Sequence, residues 1–159
     1  MLRRMPAQRE FMKTRGIEFA GGIDVRLINP WFAEQLNTIR LHQVFLAADT
    51  NLQVKQLEDA RQVLSALPTR KLRAYTLIGF GNDTIKKATS RLERVWELGC
   101  IPHAQLYQPD DSWIDYSRDW KLLSRMWSRP AAMYGMHKVK DAVESKLPSQ
   151  MNMWSELNQ

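Results

Sequence analysis

The residues able to do chemistry fall into a few groups. Three histidines, His42, His103 and His137, show no metal-ligand spacing with carboxylates. The one cysteine, Cys100, excludes an internal disulfide, a Cys-rich zinc site and an iron–sulfur cluster held by this chain's own thiolates alone. It follows a helical stretch and precedes a strand-like run, so a small buried apolar residue is the expected role rather than a nucleophile. No G-x-S-x-G elbow is present. The run Gly79-Phe80-Gly81-Asn82-Asp83-Thr84 suggests a dinucleotide loop, but Thr84 stands where the third glycine is needed. It lacks the Walker Lys-Ser/Thr as well. Its glycines still permit close backbone approach to a flat ligand such as adenine. Trp113, Tyr116, Trp120, Leu123 and Trp127 could stack bases, yet their spacing is that of one buried helix face.

Four short apolar runs read as the strands that position these groups: 23–28, 43–48, 72–78 and 103–107. Helical stretches lie between them. Asn29-Pro30 opens the first, with Trp31, Phe32, Leu36 and Ile39 at helical spacing. The second starts near Asn51, uses Leu52, Leu57, Ala60 and Leu64, and stops at Pro68. The third runs from about Asp83 to Leu98, with Gly99 as its C′ residue. Ser112-x-x-Asp115 resembles a capping box for a fourth, which Arg129-Pro130 ends. Residues 133–159 read as a weakly helical or irregular tail. The expected fold is therefore α/β, with about four parallel βα units in an open sheet or half of a TIM-type barrel.

Ligands of parallel α/β folds bind at the carboxyl ends of the strands. That rule selects Asn29, then Asp49-Thr50-Asn51, then residues 79–84, then Gln108-Pro109-Asp110-Asp111. Asn29, Asn51 and Asp83 each suit a helix cap. Asp49 is the exception, because it ends an apolar strand directly over the rim.

The chain has 159 residues with 23 basic and 17 acidic groups, a net charge of +6. Residues 1–15 alone carry a net of +4, so the body is nearly neutral and the excess forms a basic N-terminal arm over residues 1–16. Such an arm can touch phosphates but is more often a solvated end, and a nucleic-acid partner is not expected. No apolar run approaches the roughly 20 residues that span a bilayer, and no secretory h-region follows the basic start. A cytoplasmic protein without a membrane partner is the expectation.

Several segments resemble radical S-adenosylmethionine (SAM) proteins of the iron–sulfur oxidoreductase-like group. Gly21-Gly22-Ile23-Asp24-Val25-Arg26-Leu27 resembles their Q-G-L/I-D-x-R-L strand, and Phe45 to Thr50 resembles the next, of the form F-A-x-D. Tyr75 to Phe80, with Asp83-Thr84 and Arg91-Leu92, resembles Y-x-L-I-G-F…D-T…R-L. Pro102 to Gln108 and Trp127 to Pro130 resemble the end of that barrel. The resemblance covers residues 17–132 and begins at what looks like the family's third strand. The C-x-x-x-C-x-x-C loop that holds the [4Fe–4S] cluster is absent.

What the resemblance implies is a C-terminal, SAM-cradling half, competent for radical chemistry only with an N-terminal part that carries the cluster. Asp49 would meet the ribose or methionyl group of SAM. Ile78, Gly79 and Phe80 would pack on adenine through their backbone, and Gln105, Leu106 and Tyr107 match the last adenine-contacting segment. Asp24 and Arg26 would face the substrate cavity or pair with each other. The partner would be an N-terminal radical SAM half or a second copy. Two alternatives stand beside this: a non-catalytic remnant or binding module of the same fold, and a small basic nucleic-acid binder.

Overall fold

The computed structural model describes residues 16–144. The basic arm, apart from Gly16, lies outside the described residues, as does the tail from residue 145 onward. Four strands, β1 (Ile17–Asp24), β2 (Leu41–Ala47), β3 (Leu72–Ile78) and β4 (Ile101–Leu106), form one sheet in the order of the sequence. Every neighbouring pair is parallel. The crossovers are helical: α1 (Pro30–Asn37), α2 (Asn51–Val63) and α3 (Ile85–Glu97). Helix α4 (Arg118–Met126) follows β4, and α5 (Pro130–Glu144) comes last. The protein is thus an open α/β sheet of βα units. It falls into two compact units divided between Ser128 and Arg129, the sheet and α1–α4 in the first and α5 in the second.

Strand alternation sorts the sheet's side chains into two faces. Val44, Leu46, Leu72 and Ala74 are fully buried against Leu36, Val54, Leu57, Ala60, Leu64 and Val95 of the helices. Cys100, also fully buried, belongs to the same core. The opposite face carries Phe45, Arg73, Tyr75 and His103.

Local chemistry explains most boundaries. Asn29 accepts from the Phe32 N–H and Pro30 holds the first helical position of α1. Thr50 and Gln53 form a reciprocal capping box on α2. Thr84, not Asp83, caps α3. Gly99, at φ +75°, ends α3 in a Schellman motif: its N–H donates to Trp96 and that of Cys100 to Val95.

Three expectations are corrected. The first strand ends at Asp24, and Val25–Leu27 is a 3-10 turn, because the Asp24 carboxylate accepts from the Arg26 N–H and bends the chain. The fourth helix starts at Arg118, not near Ser112. The Ser112 hydroxyl turns to Asp111, while the Gln108 amide accepts from the Ile114 N–H and donates to its carbonyl, which braces an irregular loop. Trp113 is therefore 80% exposed, and the buried stripe begins with half-buried Trp120 and runs through Leu123 to Trp127. Helix α5 starts at Pro130, where a first-turn N–H needs no partner, and runs into the segment read as weakly helical or irregular, so residues 133–144 are regular helix.

The outer edge of β4 is closed. Pro102 offers no donor, the Ala104 N–H donates to the Trp127 carbonyl at 3.1 Å, and the Ser128 hydroxyl donates to the Ala104 carbonyl at 2.9 Å. No helix among the described residues is long and apolar enough to cross a membrane. Trp127, 1% exposed, anchors this closure. Trp127→Ala is expected to cost about 3–5 kcal/mol in urea unfolding; a loss below about 1 kcal/mol would show that the closure is not a stability element.

Candidate functional site

The parallel sheet brings the carboxyl ends of all four strands to one rim. Asp49 stands there, two residues past β2. Its Oδ1 accepts the Leu77 N–H of β3 at 3.1 Å, which continues the ladder after the backbone pairing has ended. Its own N–H donates to the Gln53 side chain, the residue that completes the α2 capping box. The second carboxylate oxygen makes no hydrogen bond within the described chain. Burial raises the Asp49 pKa above its ordinary value; the Leu77 N–H and the Arg91 charge offset part of that rise.

The next loop is held by a buried ion pair. Arg91 Nη2 lies 2.7 Å from Asp83 Oδ2, with side chains 9% and 7% exposed. The same guanidinium donates to the Leu77 carbonyl at 2.8 Å. Asp83 accepts the N–H groups of Gly79 and Thr84 besides. The motif that pairs Asp83 with Arg91 in sequence is thus a staple for the turn after β3, although the buried Arg91 Nε makes no hydrogen bond.

Gly79 has φ +77°, and a β-carbon there would come within 2.6 Å of the Tyr116 ring. The close approach expected for a flat ligand is taken by the protein's own aromatic. The Tyr116 hydroxyl lies 3.1 Å from the Gly79 carbonyl and 2.9 Å from that of Tyr107, tying the ends of β3 and β4 together. Burial raises its pKa and keeps it a donor. Phe80 remains available: it is 57% exposed and meets Tyr107 edge to face at 4.8 Å. The Ile78 side chain is fully buried in the core, and its carbonyl accepts the Tyr107 N–H. Gln105 is exposed on β4. Asp24 and Arg26 pair with each other at the end of β1 through a two-point contact, Arg26 Nε lying 3.0 Å from each carboxylate oxygen. The pair stands at the surface, and each group is the other's partner.

The rim also carries apolar groups that periodicity assigned to helix cores. Trp31 and Leu52 sit in the first turns of α1 and α2 and are 65% and 66% exposed. Leu27, Phe80 and Trp113 are exposed in the loops of the same rim. Helical spacing alone cannot reveal this. The usable signal was position, since each lies in the segment between a strand's carboxyl end and the body of the next helix.

Cys100 lies at the other end of the sheet, just before β4. Burial pushes its thiol up to about 12, and a thiol so held is a poor iron ligand. With one cysteine the chain does not fit a [4Fe–4S] cluster. Among the described residues no three His, Cys, Asp or Glu side chains gather. The fold is an open α/β sheet of βα units, and the carboxyl ends of its strands share one rim. No protein-family model, curated protein or solved structure matches the chain.

Two outcomes follow. Arg91→Met leaves the Asp83 carboxylate buried without its cation and is expected to cost about 3–5 kcal/mol; a loss under about 1 kcal/mol in denaturant unfolding would remove the staple. Asp49 holds its proton more tightly folded than unfolded, so its contribution to stability is present at low pH and lost as pH rises through the raised pKa. Asp49→Asn keeps an acceptor for Leu77 without the charge. It is expected to be as stable as the parent or, after solvent screening, up to about 1 kcal/mol more stable at neutral pH, with the difference vanishing in acid. A clear destabilisation at neutral pH, read by thermal melts across pH, would contradict this.

Proposed function

We propose that the carboxyl rim binds an adenosyl ligand, S-adenosylmethionine by the resemblance, and that the chain is the SAM-cradling part of a radical SAM assembly. The observation that carries this reading is the coincidence on one rim of Asp49, a partly desolvated carboxylate with an uncommitted oxygen, and the edge-to-face pair of exposed Phe80 with half-buried Tyr107. The three residues end consecutive strands. Neighbouring strands lie about 4.8 Å apart, so the rim from β2 to β4 spans about 10 Å, the reach of a nucleoside. A carboxylate at one end suits ribose hydroxyls or a methionyl ammonium. Exposed aromatic edges at the other suit a purine face.

SAM would supply an activated sulfonium and an adenosyl group. Phe80 and Tyr107 would hold the base, while Asp49 would orient the sugar or the amino-acid head. The [4Fe–4S] cluster and any radical step belong to an N-terminal partner part that bears three cysteines. A second reading, a binding module without chemistry, draws support from the Tyr116 ring seated over Gly79, which narrows the backbone cradle expected of that strand.

The test is calorimetric titration of the full chain with SAM and, separately, with adenosine. Saturable SAM binding with a Kd between about 10 μM and 1 mM is expected, weakened about tenfold in Asp49→Asn and severalfold in Phe80→Ala. No heat at millimolar SAM would overturn the proposal.

A further inference from the structure

The sheet face opposite the helices carries a second cluster, distant from the rim. Parallel register sets Arg73 beside Phe45 and Tyr75 beside His103. Phe45 and Tyr75 stack with centroids 4.8 Å apart, and the His103 ring stands edge-on to both. The Arg73 guanidinium lies 5.1 Å over the Phe45 ring. Arg73 and His103 are both half-buried and are held in place by aromatic contact rather than by carboxylates.

Arg91 has Asp83 and Arg94 has Glu58, but no described carboxylate lies within ion-pair distance of Arg73. Glu18, exposed on β1, influences it only from farther away. Its Nε is buried and makes no hydrogen bond. A desolvated cation without a counter-ion is costly, and an anion relieves that cost.

The hydrogen-bond inventory is one-sided. Arg73 Nη2 lies 3.3 Å from His103 Nδ1. A guanidinium only donates, so Nδ1 accepts and the ring proton is assigned to Nε2. The Tyr75 hydroxyl already donates to the Ala20 carbonyl. What remains free is the guanidinium's other N–H groups and the imidazole Nε2–H, which are all donors. A donor-only constellation around a fixed cation selects an acceptor-only ligand.

We propose that Arg73 and His103 form a binding site for a small oxyanion, a carboxylate or a phosphate, on the sheet face opposite α1, α2 and α3. Arg73 is the second residue of β3 and Leu77, the partner of Asp49, the sixth. Four residues of strand separate them by about 13 Å, so this site stands apart from the adenosyl reading of the rim.

The experiment titrates the full chain with inorganic phosphate and, in a second arm, with succinate, at constant ionic strength in chloride. Calorimetry and the His103 imidazole resonances are read together. Saturable binding with a Kd below about 10 mM is expected in at least one arm, the tighter arm naming the source. The His103 signals should shift with it, and affinity should fall about tenfold or more in Arg73→Gln while Arg70→Gln on the surface leaves it unchanged. His103→Gln serves as the second variant if R73Q does not fold, with a severalfold loss expected. Asp49→Asn should leave this titration unaltered, which separates its outcome from that of the rim. Absence of saturation in both arms, or affinity unchanged in R73Q or H103Q, overturns the proposal.

Discussion

A parallel strand cannot be reached by a tight turn, and everything in this protein follows from that constraint. Each strand must return across the sheet before the next begins, so each connection becomes a helix lying on a face. With the strands in sequence order and crossovers of one hand, α1, α2 and α3 pack on the same face. That face becomes the core, made of Val44, Leu46, Leu72 and Ala74 under the helices. The other face is free to carry Arg73, Tyr75 and His103. All carboxyl ends meet at one rim, where Asp49, Phe80 and Tyr107 stand.

Charge is used differently at each level of this frame. The Asp83–Arg91 pair is buried, bidentate in its backbone contacts and structural; it holds the turn that presents Phe80. The Asp24–Arg26 pair is exposed and shapes the bend after β1. Asp49 and Arg73 are half-buried charges with no opposite charge in ion-pair contact among the described residues. Desolvation dominates both, raising the pKa of the acid and lowering that of the base. Folding that leaves a charge so placed gives up stability there, and functional sites are where such losses are found.

Much of the scaffold was legible in the residues. The run 72–78 is β3 to the residue, because alternation and β-branched or aromatic content agree over its whole length. Pro30 and Gly99 mark helix ends through chemistry that acts within a few residues, whereas the cap of α2 is Thr50 with Gln53 and not the Asn51 that the sequence suggested. The rim followed from the parallel topology, and Asp49 stood out because a carboxylate directly after an apolar strand has no local use. The failures have one cause. Val25–Leu27 looked like strand and Trp113 looked like core, because periodicity records residue type and not whether a neighbouring element arrives to cover it. A two-residue Asp24–Arg26 contact and the Gln108 brace overrode the pattern in each case.

The sequence by itself determined the βα rhythm, the helix ends at Pro30 and Gly99, the single buried thiol and the neutrality of the body. These depend on interactions between residues close in the chain, or on simple counts. Tertiary structure alone decided which arginine meets an acid: Arg91 is eight residues from Asp83 and pairs with it, whereas Arg73 is thirty from His103 and meets no carboxylate among the described residues. It decided that Tyr116, thirty-seven residues along, fills the space over Gly79. Such contacts join elements through strand register and crossover packing, and spacing along the chain does not encode them.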